Sequence, residues 1–169
     1  DLGKPKPPEN PAIAVLPFRL VGDAGPYAAI ADALPHDLIL ELSRLRWLFV
    51  TARGSSFRLR AADVDMGEVG RLLGVRYCLS GSVELAGHRL AVSVELVDTR
   101  DASVVWAERY TGALDDVHQV REDICARILA ALEMQIPVHE AQLARLSVTG
   151  NLDAWSAYHL GLQHMYRFN

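Results

Sequence analysis

The chain has 169 residues, of which 50% are apolar and 22% charged, with a formal net charge of −4. That length suits one compact domain with short appendages, and so high an apolar fraction excludes a disordered chain. The acidic balance counts against nucleic-acid binding through this region, and no apolar run approaches the ~18–20 residues that cross a bilayer.

Residues 1–11 read as a linker, because Pro5, Pro7, Pro8 and Pro11 favour extended structure and forbid helix. The start at Asp1-Leu2-Gly3-Lys4 lacks the basic-then-apolar order of a signal peptide. Having no initiating Met, it is read as a cut within a longer chain, with a further domain before the linker. Ala12 to Phe18 is a continuous apolar run between Pro11 and Pro17, the pattern of a strand buried on both faces. A loop with Gly22, Asp23, Gly25 and Pro26 follows. Helix one is predicted from about Tyr27 to Leu45, with Ile30, Leu34, Leu38, Leu42 and Leu45 as its apolar stripe. Pro35 is expected to kink or split it near Leu34.

Trp47 to Ala52 is the second predicted strand. After the loop Arg53–Arg60, Asp63 opens a helix to about Leu73. Met66, Val69, Leu72 and Leu73 turn inward, and Gly74 stops it. Three strands follow: Tyr77 to Leu85, Arg89 to Asp98 and Ser103 to Tyr110, joined by turns at Ala86-Gly87-His88 and Thr99-Arg100-Asp101. In the middle one Leu90, Val92, Val94 and Leu96 face inward, against Ala91, Ser93 and Glu95. A long helix runs from about Leu114 to Ile136, opened by Asp115 and Asp116 and stopped by Pro137. Val138 to Leu146 reads as a separate short helix, and Asn151 caps a last helix from Leu152. Strand-helix-strand-helix-strand implies two parallel crossovers. The expected fold is α/β: a five-stranded mixed sheet with flanking helices, followed by C-terminal helices.

Four stretches of the centre read together: Leu45 to Val50, Ala52 to Phe57, Leu73 to Val83 and Val105 to Tyr110. They resemble the TolB-like domain of bacterial signalling proteins. The resemblance covers about residues 12–136 and implies the same plan, with strand order 2-1-3-4-5. Residues 137–150 are then a connecting helix or linker. The run from Asn151 to Tyr166 resembles the opening helix of a tetratricopeptide (TPR) array, so residues 151–169 are a truncated repeat region. The resemblance implies an output domain before Asp1, either a winged-helix DNA-binding domain or a class III adenylate or guanylate cyclase. The regulator branch is the closer of the two around Trp155.

No convergent catalytic set is visible. Ser80-Gly81-Ser82 continues a strand and is no nucleophile elbow, and none of His36, His88, His118, His139, His159 and His164 has metal-ligand spacing. No metal, cofactor or enzymatic role is expected of this segment; any cyclase chemistry would belong to another domain. Cys78 and Cys125 read as buried reduced thiols. The best small-ligand candidate is the basic loop with Arg53, Ser55, Ser56, Arg58 and Arg60, suited to an anion. The alternative is a solvated loop whose arginines pair with Asp63 and Asp65. Leu152, Trp155, Leu162 and Tyr166 need cover, either from the domain's own core or from a protein partner.

The expected function is regulatory and non-catalytic: relay of partner or ligand binding to an N-terminal DNA-binding domain, in signal transduction and transcription regulation. The alternatives are the regulatory domain of a cyclase and a small-anion sensor. Expected partners are proteins or a second copy, giving a homodimer. DNA is touched only through a domain outside this segment, and no part of the segment inserts into a membrane. A cytoplasmic placement is expected, with a periplasmic one open if a membrane span lies before the linker.

Overall fold

The computed structural model describes residues 10–23, 25–52, 54–55 and 65–148. Two compact units divide the chain, Asp1–Leu129 and Ala130–Asn169. The first holds a six-stranded mixed sheet: β1 Ala12–Val15, β2 Arg19–Val21, β3 Phe49–Val50, β4 Tyr77–Ala86, β5 Arg89–Asp98 and β6 Ser103–Ala113. The α-helices among the described residues are α1 Ile30–Leu42, α2 Met66–Leu73 and α3 Val117–Val148, and a 3₁₀ turn covers Gly25–Tyr27.

The first strand is shorter than the apolar run that encodes it. Pro17 has no N–H to give to a ladder, and regular pairing ends at Val15, with Leu16 N donating to Leu79 O at 2.9 Å. The chain then re-enters the sheet as β2, parallel to β4 with Arg19 opposite Ser82. This strand was expected to be loop. The sheet order is therefore β3-β1-β4-β5-β6 with β2 pairing to β4 off that path; it differs from the expected five-strand 2-1-3-4-5 by this added strand, which shifts the numbering. Both expected parallel pairings of β1, with β3 and with β4, are present. β4, β5 and β6 form an antiparallel meander. The expected second strand contracts to Phe49–Val50, whereas β6 extends three residues past its expected end at Tyr110.

Pro35 neither splits nor ends α1; it lies inside the helix and is buried. Its ring removes the N–H that would bond to the carbonyl of Ala31. That carbonyl accepts instead from Phe18 N–H at 3.0 Å, so the helix uses the missing donor to hold the β1–β2 connection. Pro137 does not stop α3 either: the helix runs on to Val148 and absorbs the expected separate helix. In the second unit Leu132, Ile136 and Leu143 are buried on both sides of Pro137, at the spacing of one helix face. Burying that face offsets the one hydrogen bond that a proline removes.

α2 is capped by Asp65, whose Oδ1 accepts from Gly67 N–H at 3.3 Å, two residues later than the expected start, and it ends at Gly74. Val69 is buried, but Leu72 is 64% exposed, contrary to the inward placement expected of it. At about 100° per residue Met66, Val69 and Leu73 share one stripe, and Leu72 falls outside it, about 100° from Leu73. No helix among the described residues is long and apolar enough to cross a membrane.

Candidate functional site

The two faces of the sheet are covered unequally. On one lie Ile13, Val15, Leu79, Val83, Leu90, Val92, Val94 and Leu96, all buried, with Leu34, Leu38 and Leu42 of α1 in the same core. Over β6 on this face, Val120 of α3 sits where a Cβ on Gly112 would come within 2.8 Å. Arg121 Nε lies 2.9 Å from Asp37 Oδ2 and ties α3 to α1. The opposite face is covered only in part. There Ala14, Leu16 and Cys78 pack with Val69 and Val75, and with the half-buried Ala12, Met66 and Leu73, so α2 shields the β1 and β4 end.

Beyond α2 no described element covers that face, and its side chains are polar. Alternation puts Ser80, Ser82 and Glu84 of β4, Ser93 and Glu95 of β5, and Ala107, Arg109 and Thr111 of β6 on it. An antiparallel meander tolerates such a wet face. The register aligns one lateral row across four strands: Arg19 opposite Ser82, Ser82 opposite Ser93, Ser93 opposite Arg109. Two guanidinium groups thus flank a floor of short hydroxyl side chains. With Ser80, Ala107 and the start of α2 they line a broad groove of about 1350 Å³.

Gly81, between Ser80 and Ser82, turns to the covered face. A Cβ there would lie 2.6 Å from Ser93 O and 3.1 Å from the Phe18 ring, so the strand, its neighbour and Phe18 close up only around a glycine. Phe18 is in turn held by the bond to Ala31 that Pro35 leaves free. Arg109 Nη2 is 3.9 Å from Glu84 Oε2, both side chains well exposed. Such a pair contributes about 1 kcal/mol at most, so Arg109 is available to a stronger acceptor.

Among the described residues the groove's lining carries Arg19 and Arg109 together with Asp32, Asp65, Glu95 and Glu108, but no histidine, lysine or cysteine. Among the described residues, no imidazole or amine lines this floor to take a serine's proton. Guanidinium, hydroxyl and carboxylate groups together hold a ligand by hydrogen bonds and charge. Burial pushes the Cys78 thiol up to about 12, with Glu95 adding to the effect. Cys125 is pushed up to about 11 by burial, then by Asp37 and Glu41. Both thiols are free and buried. At neutral pH they are inert hydrophobes in place of nucleophiles. Among the described residues no group of three or more His, Cys, Asp or Glu side chains is placed to hold a metal ion.

Of the basic loop, Ser55 is described: it is exposed, and its N–H donates to Ala52 O at 3.1 Å. Arg53, Ser56, Arg58 and Arg60 lie outside the described residues, as do Leu152, Trp155, Leu162 and Tyr166. Among the described residues the structure brings together a row that sequence reading missed. The signal present was the polar face of the middle strand, Ser93 and Glu95; which residues of other strands share their row is set by register.

Residues 9–127 match the family described as HilA/YgeH-like transcriptional regulator, second domain. A protein of Rhizobium meliloti (strain 1021) that bears an adenylate cyclase name is 36% identical over 138 residues, which is 82% of this chain; the chain spans 24% of that protein's length. Among solved structures, the lipoprotein GNA1162 from Neisseria meningitidis superposes with a TM-score of 0.51 at 14% identity, covering 69% of this chain and 95% of its own. The PelC dodecamer protein of Paraburkholderia phytofirmans gives 0.50 at 21% identity, covering 76% and 91%. TolB from Acinetobacter baumannii gives 0.50 at 19% identity, covering 75% of this chain and 29% of TolB. Likeness at these identities establishes the fold alone.

Proposed function

The chain belongs to the HilA/YgeH-like transcriptional regulator second-domain family, and from that premise we propose that it is a non-catalytic regulatory domain of a transcriptional regulator. The family match over residues 9–127 carries the reading. The chemistry of the open groove supports it: the guanidinium, hydroxyl and carboxylate groups of the described lining suit reversible binding, and no imidazole or amine base is among them. A protein partner or small ligand binds the domain, and a DNA-binding output domain elsewhere in the same protein responds. Such a relay requires the ligand to bind one state of the whole protein better than another. The tetratricopeptide start at residues 151–169, and with it a protein-binding role for Leu152, Trp155, Leu162 and Tyr166, belongs to this proposal, as does a cytoplasmic placement.

A second reading is favoured by one observation. Identity of 36% with a protein bearing an adenylate cyclase name suits a regulatory domain attached to a cyclase. In-frame deletion of residues 12–136 from the chromosomal gene separates the two. The proposal expects altered transcripts with unchanged cyclic-nucleotide levels. Unchanged transcripts with altered cyclic nucleotide establish the cyclase reading instead. A small-anion sensor is a narrower form of the proposal. The row of Arg19, Ser82, Ser93 and Arg109 favours it, and the loop of Arg53, Ser55, Ser56, Arg58 and Arg60 stays with it. An anion bound to the native state raises the melting temperature by mass action. Arg19→Ala with Arg109→Ala abolishes that rise if the row is the site, and leaves it intact if the loop is.

A further inference from the structure

β6 ends the sheet, and no strand among the described residues lies beyond it. The opposite side of the sheet is formed by strands of two and three residues, β3 and β2, too short to template a neighbour. β6 has eleven residues, Ser-Val-Val-Trp-Ala-Glu-Arg-Tyr-Thr-Gly-Ala, with no proline and no lysine to blunt it. A long edge without such guards is a ready template for pairing.

The register shows which backbone groups point outward. Ala86 and Arg89 close a two-residue turn and form a hydrogen-bonded pair. Alternation then turns the odd-numbered residues of β5 to β4 and the even-numbered ones to β6. Leu114 N–H donating to His88 O at 2.8 Å confirms that parity. On β6, Trp106, Glu108, Tyr110 and Gly112 therefore bond to β5, while Ala107, Arg109, Thr111 and Ala113 direct their N–H and C=O groups outward. A register irregularity at Leu96/Val97 bends the strand before Trp106, so the regular outward segment is Ala107–Ala113.

We propose that this segment pairs antiparallel with the same segment of a second copy, joining two sheets into one across a two-fold axis. The occupant follows from self-complementarity. A two-fold pairing keeps side chains on their faces, so each residue meets one of the same parity. Centring on Glu108 sets carboxylate against carboxylate, and centring on Arg109 sets guanidinium against guanidinium; like charges directly opposite destabilise. Centring on Tyr110 uses the whole regular segment. Ala107 meets Ala113 of the second copy, Glu108 meets Gly112, Arg109 meets Thr111 and Tyr110 meets its own copy. Tyr110 is buried in its own unit beside Trp106, so the contact across the axis is made mainly by backbone. No like charges face each other, and each outward pair exchanges two backbone hydrogen bonds. The inference stands on the edge geometry and does not rest on the regulatory reading.

Two measurements on the 169-residue chain test it. Sedimentation from micromolar to millimolar concentration is expected to show a mass rising from 18.6 kDa towards twice that value. Ala107→Pro removes an outward N–H and spares the bonds to β5, so it is expected to stay folded and remain at the monomer mass. The register is read by mixing Arg109→Cys with Thr111→Cys under mild oxidation. The two positions lie opposite at about 5.5 Å between Cα atoms, within disulfide range, whereas each lies diagonal to itself and out of range. Disulfide dimer is expected to form at least about tenfold faster in the mixture than in either variant alone. Buried Cys78 and Cys125 do not compete. A monomer at every concentration overturns the proposal. So does a dimer that a folded Ala107→Pro variant retains, or cross-linking no faster in the mixture. If Ala107→Pro does not fold, the cross-linking result decides alone.

Discussion

Two glycines show at the residue scale how little room the packing around the sheet leaves. Gly81→Ala forces a methyl against Ser93 O and the Phe18 ring. Backbone cannot step aside as a flexible side chain does, so the variant is expected to lose about 1–3 kcal/mol, read as a lower midpoint in urea. At Gly70 of α2 a Cβ would come within 2.5 Å of Thr99 Oγ1. That hydroxyl is fixed by donating to Val75 O at 2.7 Å, with Arg76 O at 3.1 Å. Gly70→Ala is expected to cost a similar amount, and Thr99→Ser to leave the bonds in place with a smaller loss. The thiols give a pH signature. A raised folded-state pKa means the protein keeps the neutral thiol that the unfolded chain gives up, so the stabilisation is whole below about pH 9. It is lost as pH climbs from the ordinary 9.0 towards about 12 for Cys78 and about 11 for Cys125. Melting temperature should therefore fall above pH 9 and fall less steeply in Cys125→Ala. An unchanged slope in that variant contradicts the assignment.

At the scale of elements, the two prolines inside helices separate what the sequence announces from what it hides. A rule of local geometry reads Pro35 and Pro137 as breaks, but the helix persists through both because the freed carbonyl or the buried face is served elsewhere. For Pro35 the server is Phe18, seventeen residues earlier, and no local pattern reveals it. Pro35→Ala gives Ala31 O a competing intrahelical donor. The expected outcome is faster amide exchange at Phe18 with α1 kept helical, measured by hydrogen exchange; unchanged protection at Phe18 contradicts the account. β4, β5 and β6 were legible because alternation with period two is explicit in Leu90, Val92, Val94 and Leu96. β2 was not, since Arg19, Leu20 and Val21 are all exposed and carry no pattern; their pairing is set by where Pro17 releases the chain. The row of Arg19, Ser82, Ser93 and Arg109 was hidden for the same reason. Its members are adjacent only through the register of four strands.

For the whole molecule, the uneven cover of the sheet organises the functional account. Helix α1 and the part of α3 up to Leu129 close one face, α2 closes part of the other, and the rest of the described face is a polar groove at one end of a family fold that carries a regulatory reading. In the function proposed, this domain receives a signal by binding, and filling the groove without unfolding the domain, with Ser82→Tyr on the chromosomal copy, puts that to the test. Tyrosine suits a strand and here projects over the open floor. The account predicts that this strain reproduces the transcript changes of the strain lacking residues 12–136, with the protein present at its normal level. A transcript profile equal to the unaltered strain's, while the deletion strain departs from it, contradicts the groove as the receiving surface.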